Sequence, residues 1–310
     1  MRPAMTRSLV SLVVLAGLAS CSTPLGPLPD GLGAGATPTR IAFTLTPHNN
    51  ISVPALFNGT DRVNLMFHTA AGAVFLTRDA VRRLTSLHFD AEASVRSWGG
   101  QDAVRYSSGN HLQIGELIWD DVGVTEDRHS GRLTDGKFGP HLFEGRVLEL
   151  DFDRELLTVH AELPPLGSAW QRLELEDRDG NWFVRGSFEL EGERLERAFL
   201  VHSGFSGALL FDDEFVAQGR LEERLEPLGS RELRDSIGNV LKTTQVRLPN
   251  FRLGRTELRE VPGEFFAGAV GGRRMSVLGG DVLKRFHLFI DAGNGALYLR
   301  PAGHFDEPFS

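Results

Sequence analysis

The chain has 310 residues, 41% of them hydrophobic, a length and composition that support a sizeable core in two domains or in one large two-lobed body. Its 41 acidic residues outnumber 33 lysines and arginines for a formal net charge of −8, with the two signs interspersed rather than blocked. That pattern excludes a basic nucleic-acid-binding face, and nucleic acid is not an expected partner.

In chain order, Arg2 and Arg7 flank a short polar start, and "SLVVLAGLAS" follows as an apolar run too short to span a bilayer. Residues 1–20 therefore read as a secretion signal rather than a membrane helix. The run ends in "LASC", which resembles the bacterial lipobox, where small residues precede a cysteine that receives a lipid after cleavage. The resemblance implies a lipid anchor at Cys21, the only cysteine of the chain, and a place in the bacterial cell envelope facing the periplasm. A single cysteine makes no internal disulfide, and lipidation gives it a use. Ser22, standing where inner-membrane lipoproteins carry aspartate, is similar to outer-membrane sorting. Residues 21–39 are rich in Pro, Gly and Thr and read as a flexible tether.

Beyond the tether, short runs of Val, Leu, Ile and Phe, often alternating, are broken by Gly, Asn and Asp. "RIAFTLT", "VLELDFDRELLTVH", "WFVRGSFELEG" and "GALYLRP" are examples. Helical periodicity is confined to Arg78–Leu87 and Asp212–Leu225, so the fold class is all-β. "NGT" at Asn58–Thr60 reads as a turn.

The body is also a repeat. "NLMFHTAAGAVFLTRDAV" from Asn64 lies beside "AFLVHSGFSGALLFDDEF" from Ala198, which aligns His68 with His202, 134 residues apart. "HLQIGELIWDDVGV" from His111 matches "NFRLGRTELREVPG" from Asn250. "DGKFGPHLFEGRVLELDFDRELLTVH" from Asp135 matches "MSVLGGDVLKRFHLFIDAGNGALYLR" from Met275, with Gly139 over Gly279 and Asp151 over Asp291, both 140 residues apart. Three blocks in one order imply a duplicated unit: a first lobe over 40–160, a linker over 161–170 with two prolines, a second lobe over 171–302 and a tail over 303–310.

"FLVHSGFSGALLF", "LRDSIGNVLKT", "SVLGGDVLKRF" and "LFIDAGNGALYLRP" carry the second lobe's resemblance to the aspartic protease superfamily, and within it to the retropepsin-like proteins of bacteria. The first lobe is a weaker copy with "LMFHTAAGAVFL", "VRSWGGQDAV" and "GKFGPHLF". The resemblance implies a two-lobed acid-protease β-barrel fold in which each lobe supplies one loop to a shared cleft, organised in one chain as in pepsin. It implies that Thr69 and Ser203 hydrogen-bond across to the partner loop and that Gly204 permits the close approach; Ala70 replaces the matching glycine in the first lobe. It also makes "SWGGQ" and "DSIGN" flap tips, with Trp98, Gly99, Gly100, Ile237 and Gly238 placed to cover an extended peptide or envelope protein added as a strand. One chain supplies both lobes, so a monomer is expected.

The departure is decisive: both loop positions that carry aspartate in the family carry histidine here. Two carboxylates share a proton and act as base and acid; two histidines do not reproduce that chemistry. Asp79, Asp212 and Asp213 follow at strand ends and read as caps or solvated charges. Three uses of His68 and His202 stay open: a cleft kept for peptide binding, an unconventional peptidase or hydrolase acting through the pair, and a site for a divalent transition metal such as zinc. Facing imidazoles resist double protonation, so the first protonation of the pair should be depressed. No third metal ligand stands out: His141 reads as loop support, and His88, His111, His129, His160, His287 and His304 share no spacing that suggests a cluster.

Overall fold

Residues 37–97, 100–267 and 275–310 are described by the computed structural model. The expected signal, Cys21 and nearly all of the tether lie outside these residues, as do Trp98 and Gly99. Among the described residues no helix is long and apolar enough to cross a membrane.

The first lobe contains β1 (Thr39–Ala42), β2 (Thr44–Leu45), β3 (Ile51–Phe57), β4 (Asp61–Phe67), β5 (Val74–Thr77), β6 (Ala91–Ser97), β7 (Gly100–Ile114), β8 (Leu117–Asp127), β9 (Gly136–Phe138), β10 (Val147–Asp151) and β11 (Leu156–His160). The second contains β12 (Gln171–Glu174), β13 (Glu176–Arg178), β14 (Asn181–Leu190), β15 (Glu193–His202), β16 (Leu209–Phe211), β17 (Gly229–Arg234), β18 (Val240–Leu253), β19 (Thr256–Phe266), β20 (Ser276–Gly279), β21 (Phe286–Asp291) and β22 (Ala296–Pro301). Short helices α1 (Arg78–Val81), α2 (Asp213–Gly219), α3 (Leu221–Arg224) and α4 (Gly280–Leu283) fill corners.

The duplication is visible strand by strand. One sheet runs β2-β3-β4-β9-β5-β8-β7-β6 and the other β13-β14-β15-β20-β16-β19-β18-β17, the same order eleven strands later. In each, a further pairing closes the sheet on itself, β3 with β7 and β14 with β18, leaving a six-stranded barrel with a strand projecting at either side. The barrels are mixed: β4 with β9, β5 with β8, β15 with β20 and β16 with β19 run parallel, and their neighbours antiparallel. The remaining strands form a third sheet, β1-β11-β10-β21-β22-β12, to which each lobe contributes three and in which Leu148–Leu150 pairs with Leu288–Ile290 at the boundary. The fold is thus the duplicated, two-lobed, all-β architecture that the repeat implies.

Strand patterning explains why the loops sit deep. β4 begins with alternating exposed and buried residues and ends with Leu65, Met66 and Phe67 all buried; β15 likewise ends with Phe199 to His202 buried. Half-solvated strands alternate, and strands covered on both faces do not. Each therefore runs from the surface into the interior and delivers its loop there. Gly139 and Gly279 end β9 and β20, where a Cβ would lie 1.7 Å from the Ala71 carbonyl oxygen and 2.2 Å from that of Gly207, contacts that only glycine avoids.

One expectation is corrected. The helical pattern over Arg78–Leu87 yields only the single turn α1, because the Asp61 carboxylate accepts from Thr85 N (2.9 Å) and Ser86 N (2.8 Å) and bends the chain away. The tail is tied down: Arg285 Nη1 donates to the carbonyls of His304, Phe305 and Glu307, its guanidinium lies 3.6 Å from the Phe309 ring centre, and Phe305 and Phe309 pack on the core. Asp79 and Asp213 lie in the first turns of α1 and α2, and Asp212 caps α2 by accepting from Phe215 N at 3.0 Å. Asp212 is fully buried, doubly bonded by Arg197 (2.8 and 2.9 Å) and bonded by Ser276 Oγ at 2.6 Å. Its replacement, Asp212→Ala, removes the cap and the charge-assisted bonds to a partly exposed arginine and should cost about 2–3 kcal/mol, read as a lowered urea midpoint with unchanged m-value.

Candidate functional site

The ends of β4 and β15 meet at the lobe boundary. Thr69 N donates to Ser203 Oγ (3.0 Å) and Ser203 N to Thr69 Oγ1 (3.1 Å). Each hydroxyl then donates onward into the other lobe, Thr69 Oγ1 to the Val201 carbonyl (2.6 Å) and Ser203 Oγ to that of Phe67 (2.7 Å). Both side chains are 1% exposed, so water does not compete for these bonds. The loops also share one turn geometry, Ala71 N bonding the His68 carbonyl at 2.9 Å and Phe205 N that of His202 at 3.1 Å. Ala70 therefore does not disturb the first loop; its methyl packs against the apolar cluster around Phe205 and Leu200.

This lock brings the rings of His68 and His202 to a centroid separation of 4.4 Å, edge to face at 62°. Gly204 is what allows it: a Cβ there would lie 2.2 Å from His68 Cδ2 and 2.5 Å from Nε2. Burial, followed by repulsion from His202 and from Lys137, holds His68 well below its ordinary value of 6.5, so the ring is neutral at pH 7. Ala70 N donates to His68 Nδ1 (3.1 Å), which makes Nδ1 the lone-pair nitrogen and leaves the proton of the neutral ring on Nε2.

That tautomer bears on the metal reading. A zinc centre needs three or four donors with bare nitrogens, whereas this pair offers two imidazoles, one with a lone pair already committed to Ala70. Among the described residues no group of three or more His, Cys, Asp or Glu side chains is arranged to hold an ion. The residues present do not fit a zinc centre. His141 lies behind the first loop with a bond to the Ala71 backbone, and burial pushes it down to about 4. Its counterpart Asp281 turns the other way, accepting from Ser310 N (2.8 Å) and Ser310 Oγ (2.7 Å).

Several participants escaped the sequence reading. Asn50, from the segment between β2 and β3, donates to the Ser203 carbonyl (3.1 Å), and Asn49 donates to that of Ser206 (2.9 Å), so the first lobe buttresses the loop of the second. Lys137 on β9 is 5% exposed, pairs with the buried Asp127 at 2.6 Å, donates to Ser236 Oγ at 2.6 Å and lies 4.7 Å from the Phe75 ring centre. Its neighbour Phe138 accepts from His68 N (2.9 Å), which puts the ion pair beside the loop. The signal was present: Lys137 aligns with Val277 in a strand buried throughout. His160 and His287, taken as unrelated, both bond Glu149, at 2.7 and 2.8 Å, on the boundary sheet; their bonds outweigh burial and lower Glu149 to about 2.

Of the expected covering residues, Gly100 opens β7, and the rest of the first tip lies outside the described residues. The second tip reaches across the cleft. Ile237 is 8% exposed and clusters with Val95 and Val104 of the first lobe, while Gly238 packs on the Arg128 stem. The second tip is thus docked on the opposite lobe. Comparison with protein-family models finds no match to the chain, and comparison with curated proteins finds none.

Two predictions follow from the lock and the buried rings. Thr69→Val or Ser203→Ala removes reciprocal buried bonds and should cost about 2–3 kcal/mol in urea unfolding. His141 and His68 bind protons less readily folded than unfolded, so their contribution is intact above pH 6.5 and is lost as pH falls towards the folded values. Urea midpoints should drop between neutral pH and about pH 5, by about 1–2 kcal/mol for His141 alone, and His141→Asn should flatten that slope.

Proposed function

We propose that the protein is a cell-envelope lipoprotein, anchored through Cys21, whose acid-protease-like cleft recognises an extended peptide without two-carboxylate hydrolysis. The observation that carries this reading is the pair of imidazoles, 4.4 Å between ring centres, where the resemblance requires carboxylates. A carboxylate pair activates water because one oxygen is a free base while its partner holds a proton. His68 in its neutral form has no such base to offer: Nδ1 is taken by Ala70 N–H and Nε2 carries the proton. The cross-locked loops and the tip between β17 and β18 that reaches the opposite lobe support the peptide-binding reading.

The full chain incubated with peptide arrays should retain extended peptides, and mass spectrometry should find no new termini in peptide mixtures across the acid to neutral range. His202→Ala should leave retention in place. Products that form with the native chain and vanish with His202→Ala would replace this reading with histidine-based hydrolysis. For the anchor, cells fed a fatty-acid label should incorporate it into the protein, and Cys21→Ala should abolish that incorporation; label persisting in the variant overturns the lipoprotein assignment.

A further inference from the structure

The tip between β17 and β18 makes contacts with the first lobe that differ in kind from simple packing. The Ser236 carbonyl accepts from two successive backbone donors, Arg128 N (3.1 Å) and His129 N (3.2 Å). Its hydroxyl accepts from Lys137 Nζ at 2.6 Å, where the ammonium is already neutralised by Asp127. The next side chain, Ile237, enters an apolar recess formed by Val95 and Val104 with Phe75 and Ala93 behind them. The following Gly238 has φ +87°, which turns the chain out again. Ser236 and Ile237 are the central residues of a β-turn closed by Gly238 N to the Asp235 carbonyl at 3.0 Å, so the backbone donors, the polar seat and the apolar seat together receive a turn, and here the protein's own chain supplies it. They adjoin the His68 loop, because Phe138, next to Lys137, bonds His68 N.

From this geometry we infer that Ser236–Ile237 is an internal occupant of a ligand subsite, and that the subsite takes a peptide bearing a small hydroxyl residue followed by an aliphatic one. This inference rests on the peptide-recognition reading above and adds to it the identity of two ligand positions and a closed resting state. The polar seat depends on Lys137, and the aligned residue of the second lobe is Val277, so the subsite has one copy and imposes one chain direction on its ligand. Burial of the one isoleucine side chain, offset by the cost of ordering the tip, keeps the seat mostly occupied yet displaceable. A ligand then binds with its intrinsic affinity reduced by the fraction of molecules whose tip is undocked.

The test uses the full chain and a dye-labelled pentapeptide, acetyl-Ala-Ser-Ile-Gly-Ala, with two control peptides carrying Ala for Ser or Asp for Ile. Ile237→Asp puts a charge into the apolar recess, unseats the tip, and should raise affinity for the Ser-Ile peptide by about tenfold or more. Both controls should bind this variant more weakly than the Ser-Ile peptide does. In the unaltered chain, saturating peptide should move the Ile237 methyl resonance towards that of a solvent-exposed isoleucine, a measurement that needs no variant. Equal binding of the three peptides to folded Ile237→Asp overturns the subsite while leaving peptide recognition standing. Binding of no array peptide by either protein overturns both readings. An Ile237 methyl signal unmoved by a peptide that does bind shows that the tip and the ligand occupy different places, and sinks the inference alone.

Discussion

Four hydrogen bonds between Thr69 and Ser203, and from their hydroxyls to the Val201 and Phe67 carbonyls, tie two loops that are 134 residues apart. Every other feature of the cleft depends on them. A buried N–H or hydroxyl left without a partner costs about 1–3 kcal/mol, so neither loop is stable in this form without the other. Each hydroxyl both accepts and donates across the boundary, which fixes the spacing of the loops and with it the 4.4 Å approach of the two rings. Gly204 beneath one and the Ala70 amide against the Nδ1 of the same ring hold His68, while the end of β15 carries His202.

Around this lock the two lobes are joined at several depths. The shared six-stranded sheet supplies backbone pairing, and the apolar core runs through it from one lobe to the other without a break. On that sheet Glu149 of the first lobe accepts from His160 and from His287 of the second, and Arg300 Nη2 at 3.0 Å from His287 Nδ1 fixes which nitrogen of His287 donates. The same contact argues against an ion at these three residues, because an arginine donor facing Nδ1 keeps the proton on Nε2, the nitrogen an ion would need. Closer to the cleft, Asn49 bonds Ser206, Ser310 and Lys284, so the tail and α4 are also tied to the first lobe. The lobes are thus tied together at the shared sheet, at the loops and at the tail.

The fold was legible because it is written twice. Three aligned blocks gave the strand order of one lobe as a copy of the other, and the hydroxyl at each loop announced the cross-bonding before any coordinates. Helix length was misjudged over Arg78–Leu87 because periodicity says nothing of a distant carboxylate such as Asp61 that captures the amides the helix would need. Glu149, His160 and His287 were unreadable for a related reason: partners 11 and 138 residues apart meet only when β10 pairs with β21, a register set by the whole fold. Ile237 was correctly placed on a hairpin tip, but the direction in which a hairpin leans depends on the surface that receives it. Lys137 was different, since a lysine aligned with a valine in a buried strand is a local anomaly.

Lys137 also changes how the imidazole pair is understood. A pair of carboxylates beside a buried lysine would gain from its charge, and the ammonium would stabilise full ionisation rather than the shared proton that hydrolysis needs. Two histidines respond in the opposite sense: the ammonium adds to burial and to mutual repulsion in keeping His68 neutral. Asp127 and Ser236 then satisfy Lys137 itself. Under the proposed reading the free energy of recognition comes from backbone bonds, a hydroxyl contact and apolar contact, and none of it requires a charge to develop on the ligand. Activating water would require the reverse, a polar environment prepared for charge separation at the rings. The paired histidines and Lys137 are therefore consistent with each other, since the ammonium and the second ring both keep His68 neutral, and under the proposed reading both suit a cleft that holds a peptide rather than cuts it.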